Sequence, residues 1–436
     1  MSTIDITTTS DERAVRITGG RRLTGTTTVQ GSKNIALHLY AAAILSDEPL
    51  TLVGAPEILD TLVVADILHR TGTRATVTGD EFATRPADSY FPVIPDDLGR
   101  RIRTTAVMGG ALLARSGKVT FPTPGGDAFC ARYIDRHLAA MEAAGAEVEV
   151  NRGRVRARFT GKRLPFITDV ETREWGPSLG ATVTAMLLAA RVPGTSSILN
   201  PSVEPEVTHT AALLSQAGVG IEWRGRKALN VTGTDCIRGG VFTVPPDRLE
   251  AATLALAAAI TGGAIHLDGF PPAAFPDGLV SVFADAGIQL DPLNGGTAVS
   301  TPAGPRPVQM ATGPHPGFPT DVQPQLTAFL TRAEGASRID ERIYSQRDSH
   351  LPALAAFGAA VNATGSVITV QGRSALRAAD VVGEDIRAVT ALVIAALAAE
   401  GTSTIRGMYH LRRGYGSLLP KLATFGAKLT IDQEKP

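Results

Sequence analysis

A chain of 436 residues carrying 42 basic and 42 acidic side chains can bury two or more cores, and it offers no net charge for a polyanion. Non-specific nucleic-acid binding and a polybasic membrane surface are therefore excluded, and aromatics at 5% beside abundant small aliphatic residues suit helices packed tightly on sheets. Cys130 and Cys236 supply neither a disulfide framework nor metal-ligand spacing, so a reducing cytoplasm is the expected location.

The opening MSTIDITTTSDERAV is polar and lacks the apolar core of a signal peptide. The following run, VRITGG, alternates as a strand. KNIALHLYAAAILSDEP, from Lys33, is apolar nearly all round and predicts an interior helix. ILHRTGTRATV then reads as a helix that stops at Gly72 and gives way to a strand. Both helices recur. TTAVMGGALLARSG, GATVTAMLLAARVPG, EAATLALAAAITGG, PQLTAFLTRAEG and IRAVTALVIAALAAEG repeat the first. MEAAGAEVEV, LLSQAGVGIEW, VFADAGIQL, LAAFGAAVNAT and LATFGAKLTI repeat the second, with Gly145, Gly218, Gly287, Gly358 and Gly426 in the place of Gly72. These glycines stand 68 to 73 residues apart, each where a helix C-terminus needs φ > 0. VTFPT, SSILN, GAIHL and STIRG add strands between the helices. Six units of this length suggest two globular domains of three units each. The longest apolar helix candidate, Ala388 to Ala399, is too short to cross a bilayer.

Charged or polar groups stand at or just before the starts of several interior helices: Lys33 and Asn34, Arg103, and Arg387 after Asp385. Free N–H groups and the helix dipole already favour anions there, so a cation is uncomfortable until a negative ligand arrives. A solvated surface charge is the alternative for any one of them; recurrence at equivalent points of the repeat favours a bound anion. Lys33, Arg103, Arg132, Arg387 and Arg413 together suit a small, multiply charged ligand, because guanidinium meets phosphate and carboxylate bidentately. Two acids stand out. Asp321, in HPGFPTDVQPQ, either caps the helix that starts near Val322 or does chemistry. Asp127 lies in TPGGDAFCARYIDRHL, where Gly125 and Gly126 let the backbone move. His137 and His410 read as structural, and no HExxH, CxxC or Walker-type run points to a metal or nucleotide-phosphate loop.

GSKNIAL (31–37), the Arg103 helix, TPGGDAFCAR (123–132), PSLGAT (177–182), EPE (204–206), PPDRLEA (245–251), HPGFPTD (315–321), EDIRA (384–388) and HLRRGY (410–415) occur in one order. That order resembles the UDP-N-acetylglucosamine enolpyruvyltransferase (1-carboxyvinyltransferase) family, relatives of the shikimate-pathway enolpyruvyltransferase, over nearly the whole chain. The resemblance implies an α/β (α+β) fold of two inside-out α/β barrels. Each would hold three βαβαββ repeats around buried helices, with the active site in the interdomain cleft. The implied domains are 33–245, carrying the mobile catalytic loop, and 1–32 plus 246–436. The implied reaction moves the enolpyruvyl group of phosphoenolpyruvate to a hydroxyl of a uridine nucleotide. It proceeds by addition and elimination through a tetrahedral ketal, releasing phosphate, with no cofactor or metal and no nucleic-acid, membrane or protein partner.

Carried over by position, Lys33, Arg103, Arg132, Arg347, Arg387 and Arg413 would cage phosphoenolpyruvate. Asp321 would take the proton of the attacking hydroxyl, and Asp127 would deliver one to the C3 methylene. Catalysis would rest on Asp127, Asp321, Lys33 and Arg413; the acceptor would meet Asn34, Arg132, Tyr133, Asp135, Arg136, Ser178, Leu179, Gly180 and Asp321. The chain also departs from the pattern. Arg136 stands where an apolar contact is expected, ETREWG (171–176) before PSLGAT is long and bulky, SQRDSH (345–350) keeps Arg347 but replaces the aromatic or apolar residues after it, and Arg412 replaces an aspartate. These departures cluster around acceptor recognition. They leave open UDP-N-acetylglucosamine at its 3-OH, as in peptidoglycan biosynthesis, and UMP at its 3′-OH, as in peptidyl-nucleoside antibiotic biosynthesis. A non-catalytic binding paralogue is the reading from another class, and retention of both acids with the full set of cations speaks against it.

Overall fold

The computed structural model describes residues 13–126, 133–172 and 176–432. Two compact units share the chain: Gly31–Gly126 and Ala131–Pro245 in one, the stretch to Gln30 and Pro246 onward in the other. The first begins two residues before the sequence boundary at 33, for a local reason. Ser32 N donates to Pro245 O at 2.8 Å, and a Cβ on Gly31 would lie 1.7 Å from the Gly54 carbonyl oxygen. Gly31 is therefore packed into the unit it opens.

The sixfold repeat of the sequence is a sixfold repeat of sheets. The plan is plainest in Gln309–Ala311, Ala336–Asp340, Ala360–Thr364 and Val367–Gln371. The first strand runs parallel to the second, the second antiparallel to the fourth, and the fourth antiparallel to the third. A buried helix joins first to second, and a more exposed helix joins second to third. Four further sheets follow this order, and in the sixth, Lys118–Pro122 with Arg154–Phe159 and Ala146–Asn151, the parallel partner shrinks to a bridge between Val93 and Thr120.

Each unit takes a strand from its far end into one of its sheets. In the 31–245 unit Gly240–Thr243 pairs parallel with Leu50–Val53. In the other, Val15–Thr18 slots antiparallel between Thr402–Arg406 and Lys428–Ile431, while Thr24–Thr28 runs parallel to Ala264–Asp268. The N-terminal strands thus belong with the C-terminal half of the chain.

The six apolar runs form the buried helices: α1 (Lys33–Ala43), α2 (Thr105–Ser116) and α3 (Leu179–Ala189) in the 31–245 unit, α4 (Arg248–Ile260), α5 (Gln323–Leu330) and α6 (Ile386–Ala398) in the other. Having no polar face, such helices are stable only when protein surrounds them. Small residues let them approach: a Cβ on Gly110 of α2 would lie 2.7 Å from Thr184 Cγ2 of α3. Side chains cap four of them at the N-terminus: Ser32, Ser178, Asp247 and Asp385. The second helix of every repeat ends as expected, with its glycine at φ between 86° and 106°.

Away from the cations, one carboxylate ties the 31–245 unit together. Asp47 pairs with Arg115 and, at 2.7 Å, with Arg191, and it accepts from Ile237 N at 2.8 Å. Burial alone would raise this carboxyl; the bonds from Arg191, Ile237 N and Arg115 override it and hold it below the usual range. Asp47→Ala takes the counter-charge from two largely buried guanidinia, and we expect a loss of about 2 kcal/mol in urea unfolding, between the surface and fully buried limits. Among the described residues no helix is long and apolar enough to cross a membrane.

Candidate active site

In the 246–432 unit the chemistry gathers on Asp321. The Pro-rich approach winds Thr320–Val322 into one 3₁₀ turn before α5 opens at Gln323. The capping alternative for Asp321 does not hold: Val322 occupies the cap position, and α5 has no side-chain cap. The carboxylate turns instead to two arginines, Oδ1 to Arg347 at 2.7 Å and Oδ2 to Arg387 at 2.7 Å. Both guanidinium side chains are under 10% exposed, at 5% and 9%. Burial by itself would raise the Asp321 carboxyl; Arg387 and Arg347 override it and hold it far below the carboxylate range.

Every element around this fork is fixed by the local sequence. Asp385 caps α6 through Arg387 N and Ala388 N, which sets Arg387 in the first turn. Arg387 also donates to Tyr415 Oη at 2.6 Å. That hydroxyl lies 3.2 Å from Thr253 Oγ1 of α4 and 3.5 Å from Gln325 Nε2 of α5. One polar residue from each buried helix of the unit thus converges on Tyr415, whose own phenol is pushed up by burial. Arg347 lies over the Tyr344 ring at 5.1 Å and donates to Thr320 Oγ1 at 3.0 Å. Arg413 is buried and stands over Tyr409 at 5.9 Å.

The 31–245 unit carries its own cations. Lys33, the first residue of α1, pairs with Asp60 at 2.9 Å, the two side chains being 9% and 2% exposed. Asn34 gives its carbonyl to His38 Nδ1 at 2.7 Å. Arg103 stands two residues before α2 and donates to Tyr133 O at 2.8 Å, leaving the Tyr133 ring largely in solvent. Asp135 opens the helix Asp135–Ala143, and its exposed carboxylate has Arg136 Nε at 3.8 Å. Ser178 caps α3, which begins with Leu179 and Gly180. A Cβ on Gly180 would meet the His137 ring at 2.7 Å, so the missing side chain makes room for the imidazole. His137 binds Thr184 Oγ1 at 2.8 Å and is pushed down to about 3, first by burial, then by Arg103 and His38. It is neutral near pH 7 and packs against α3.

Asp127 and Arg132 lie outside the described residues, as do Arg173 and Trp175. The base of their loop is described, and there the two glycines differ. A Cβ on Gly125 would lie 1.6 Å from the Arg100 carbonyl oxygen. This glycine serves close backbone contact with Arg100; Gly126, at φ 98°, is the one in the left-handed region.

Residues 17–422 match the family described as EPSP synthase (3-phosphoshikimate 1-carboxyvinyltransferase). The chain is 40% identical over 430 residues to the UDP-N-acetylglucosamine 1-carboxyvinyltransferase of Azorhizobium caulinodans, covering 95% of this chain and 98% of that one. The chain belongs to the EPSP synthase family. The enzyme of the same name from Novosphingobium aromaticivorans is 39% identical over 427 residues, with coverage of 95% and 97%. Among solved structures, the enolpyruvyl transferase NikO from Streptomyces tendae superposes with a TM-score of 0.88 at 25% identity, covering 97% of this chain and all of that one. An EPSP synthase from Acinetobacter baumannii, at 15% identity and a TM-score of 0.74, shares the fold. The protein is an enolpyruvyltransferase with a mixed α/β fold.

Several residues of this enolpyruvyltransferase that pair with the candidate cations or shape the turns bearing them were missed in the sequence. Asp60 had a signal: an acid in the first turn of a helix, on the side it buries. Tyr415 closes HLRRGY, where only the histidine and the arginines drew notice. Glu341, buried, accepts from Thr312 Oγ1 and from the backbone of Ile343 and Tyr344. It shapes the turn that presents Arg347, and no motif marks it. Among the described residues no three His, Cys, Asp or Glu side chains are grouped as a metal would require.

Proposed function

We propose that the protein transfers the enolpyruvyl group of phosphoenolpyruvate to UDP-N-acetylglucosamine at its 3-OH. One observation carries the reading: two buried guanidinia, Arg347 and Arg387, converge on a single carboxylate, that of Asp321. A carboxylate parked on Arg347 and Arg387 stands where a substrate carboxylate or phosphate would bind, and it is a weak base while both arginines hold it. When phosphoenolpyruvate draws the guanidinia onto its own charges, Asp321 recovers its basicity.

Asp321 then takes the proton of the acceptor hydroxyl as that oxygen bonds to C2, and Asp127 protonates C3, giving the tetrahedral ketal. In the second half the Asp127 carboxylate takes a proton back from C3, the bond from C2 to the phosphate oxygen breaks, and inorganic phosphate leaves. Lys33, Arg103, Arg132 and Arg413 are assigned to the charge that holds the dianion. Asn34, Tyr133, Asp135, Ser178, Leu179 and Gly180 serve the acceptor. We further read the three sheets of each unit as an inside-out barrel around its buried helices.

Arg136 supports a second reading. Its guanidinium stands beside Asp135, an added positive charge suited to the terminal phosphate of a smaller nucleotide such as UMP. Phosphate release from phosphoenolpyruvate, measured with UDP-N-acetylglucosamine and UMP offered separately, decides between them. Turnover with the nucleotide sugar is the expected result; turnover with UMP alone selects the second reading, and none with either removes both.

A further inference from the structure

The segment between Glu341 and His350 delivers Arg347, and it is pinned at both ends by carboxylates. At its start Glu341 accepts from the backbone N of Ile343 and of Tyr344, both at 3.0 Å. At its end Ser349 Oγ donates to Asp385 Oδ2 at 2.5 Å, a length typical of a hydroxyl bonded to a charged carboxylate. Asp385 is no ordinary partner. Its other oxygen caps α6, accepting from Arg387 N at 2.8 Å and Ala388 N at 2.9 Å. One carboxylate therefore joins the turn that bears Arg347 to the helix end that bears Arg387. The two guanidinia meet again on Asp321, one on each oxygen at 2.7 Å. The result is a closed ring of contacts: Ser349, Asp385, Arg387, Asp321, Arg347, and back along two residues of chain.

We propose that Ser349 is a positioning residue: by tying the Arg347 turn to the cap of α6, it fixes the separation of the two guanidinia that hold the donor anion. The inference rests on the enolpyruvyl-transfer function proposed for these arginines. It also accounts for one departure in SQRDSH: the hydroxyl at 349 replaces an apolar contact with a directional bond to Asp385. Without it, the α6 cap keeps its two backbone partners, so Arg387 stays in place. The Arg347 turn loses the hydroxyl link to that cap. The defect should then fall on the spacing of the pair and leave the fold intact.

The test compares Ser349→Ala and Ser349→Thr with the wild type in phosphate-release kinetics, alongside thermal midpoints and a ligand-free crystal structure of the alanine variant. Ser349→Ala is expected to lose about tenfold to a hundredfold in kcat/KM for phosphoenolpyruvate, with KM for the nucleotide unchanged. Ser349→Thr, which keeps a hydroxyl, should return most of that loss, and both midpoints should stay near that of the wild type. In the crystal of Ser349→Ala, Arg347 should leave its bond to Asp321 while Arg387 keeps its own. Unaltered kinetics in the alanine variant overturn the proposal, and so does a loss that threonine fails to restore. If the wild type itself releases no phosphate, the proposed function has failed, and the crystal alone decides whether Ser349 sets the pair: an unmoved Arg347 then ends the idea.

Discussion

Asp321→Asn is expected to lower phosphate release by about a thousandfold, while phosphoenolpyruvate binds about ten times more tightly. Both effects follow from one carboxylate with two jobs. The asparagine cannot take the acceptor proton, so turnover falls. It also ceases to compete with the substrate anion for Arg347 and Arg387, so binding improves. Stability moves the other way. Taking the shared carboxylate from two buried guanidinia costs about 3–5 kcal/mol, and inorganic phosphate should restore much of that in the variant. The pH dependence has a definite sign. Folding depresses the Asp321 carboxyl far below its unfolded value of about 3.9. Its ion pairs are therefore fully stabilising above that value and fade as pH drops below about 4 toward the folded one. Wild type and Asp321→Asn should thus differ in unfolding free energy by a constant amount at neutral pH and converge on acidification. Turnover within threefold of the wild type, or weaker binding of phosphoenolpyruvate, would show that Asp321 is neither the base nor a competitor for the donor site.

The parts of the molecule that obey local rules were visible in the chain. An all-apolar helix has to be interior, and a helix that turns sharply into a strand takes glycine at φ > 0, so six helix pairs and their glycines could be read off directly. Asp321 shows where that stops. An acid just before a helix reads as a cap by the local rule, yet its partners lie 26 and 66 residues further on, and two guanidinia outweigh a few free N–H groups. Gly125 meets the same limit. Two adjacent glycines suggest motion, but whether a Cβ is missing for freedom or for room depends on Arg100, which only the folded chain brings beside it. Val15–Thr18 joins strands at the other end of the chain, a pairing that periodicity cannot reveal and that only the family resemblance implied. The cations were placed by type and position; the groups that orient them, Asp60, Tyr415, Glu341 and Ser349, are ordinary residues until the fold assembles them.

Lys33 is the second place where removal of one charge should be costly. An ammonium at the first position of α1 opposes that helix's own dipole, and it is buried. Asp60 supplies a counter-charge from the second position of the next helix, Leu59–Thr71, whose N-terminus in turn favours a carboxylate. Each charge thus corrects the other's setting. Asp60→Leu should cost about 3–5 kcal/mol in urea unfolding, since it breaks a buried pair from one side. The double variant Lys33→Met, Asp60→Leu should recover most of the stability, because two apolar side chains of similar size fill the same space without desolvating a charge. Activity should separate from stability: the double variant, though well folded, should show phosphate release reduced at least a hundredfold, because Lys33 is assigned to the donor anion. Phosphoenolpyruvate should also stabilise Asp60→Leu more than the wild type, since the ligand anion then stands in for the missing carboxylate beside the ammonium. An inactive, unstable single variant alone would say only that the pair holds the fold together. A folded double variant with full turnover would show that Lys33 serves structure and leaves the donor to the arginines.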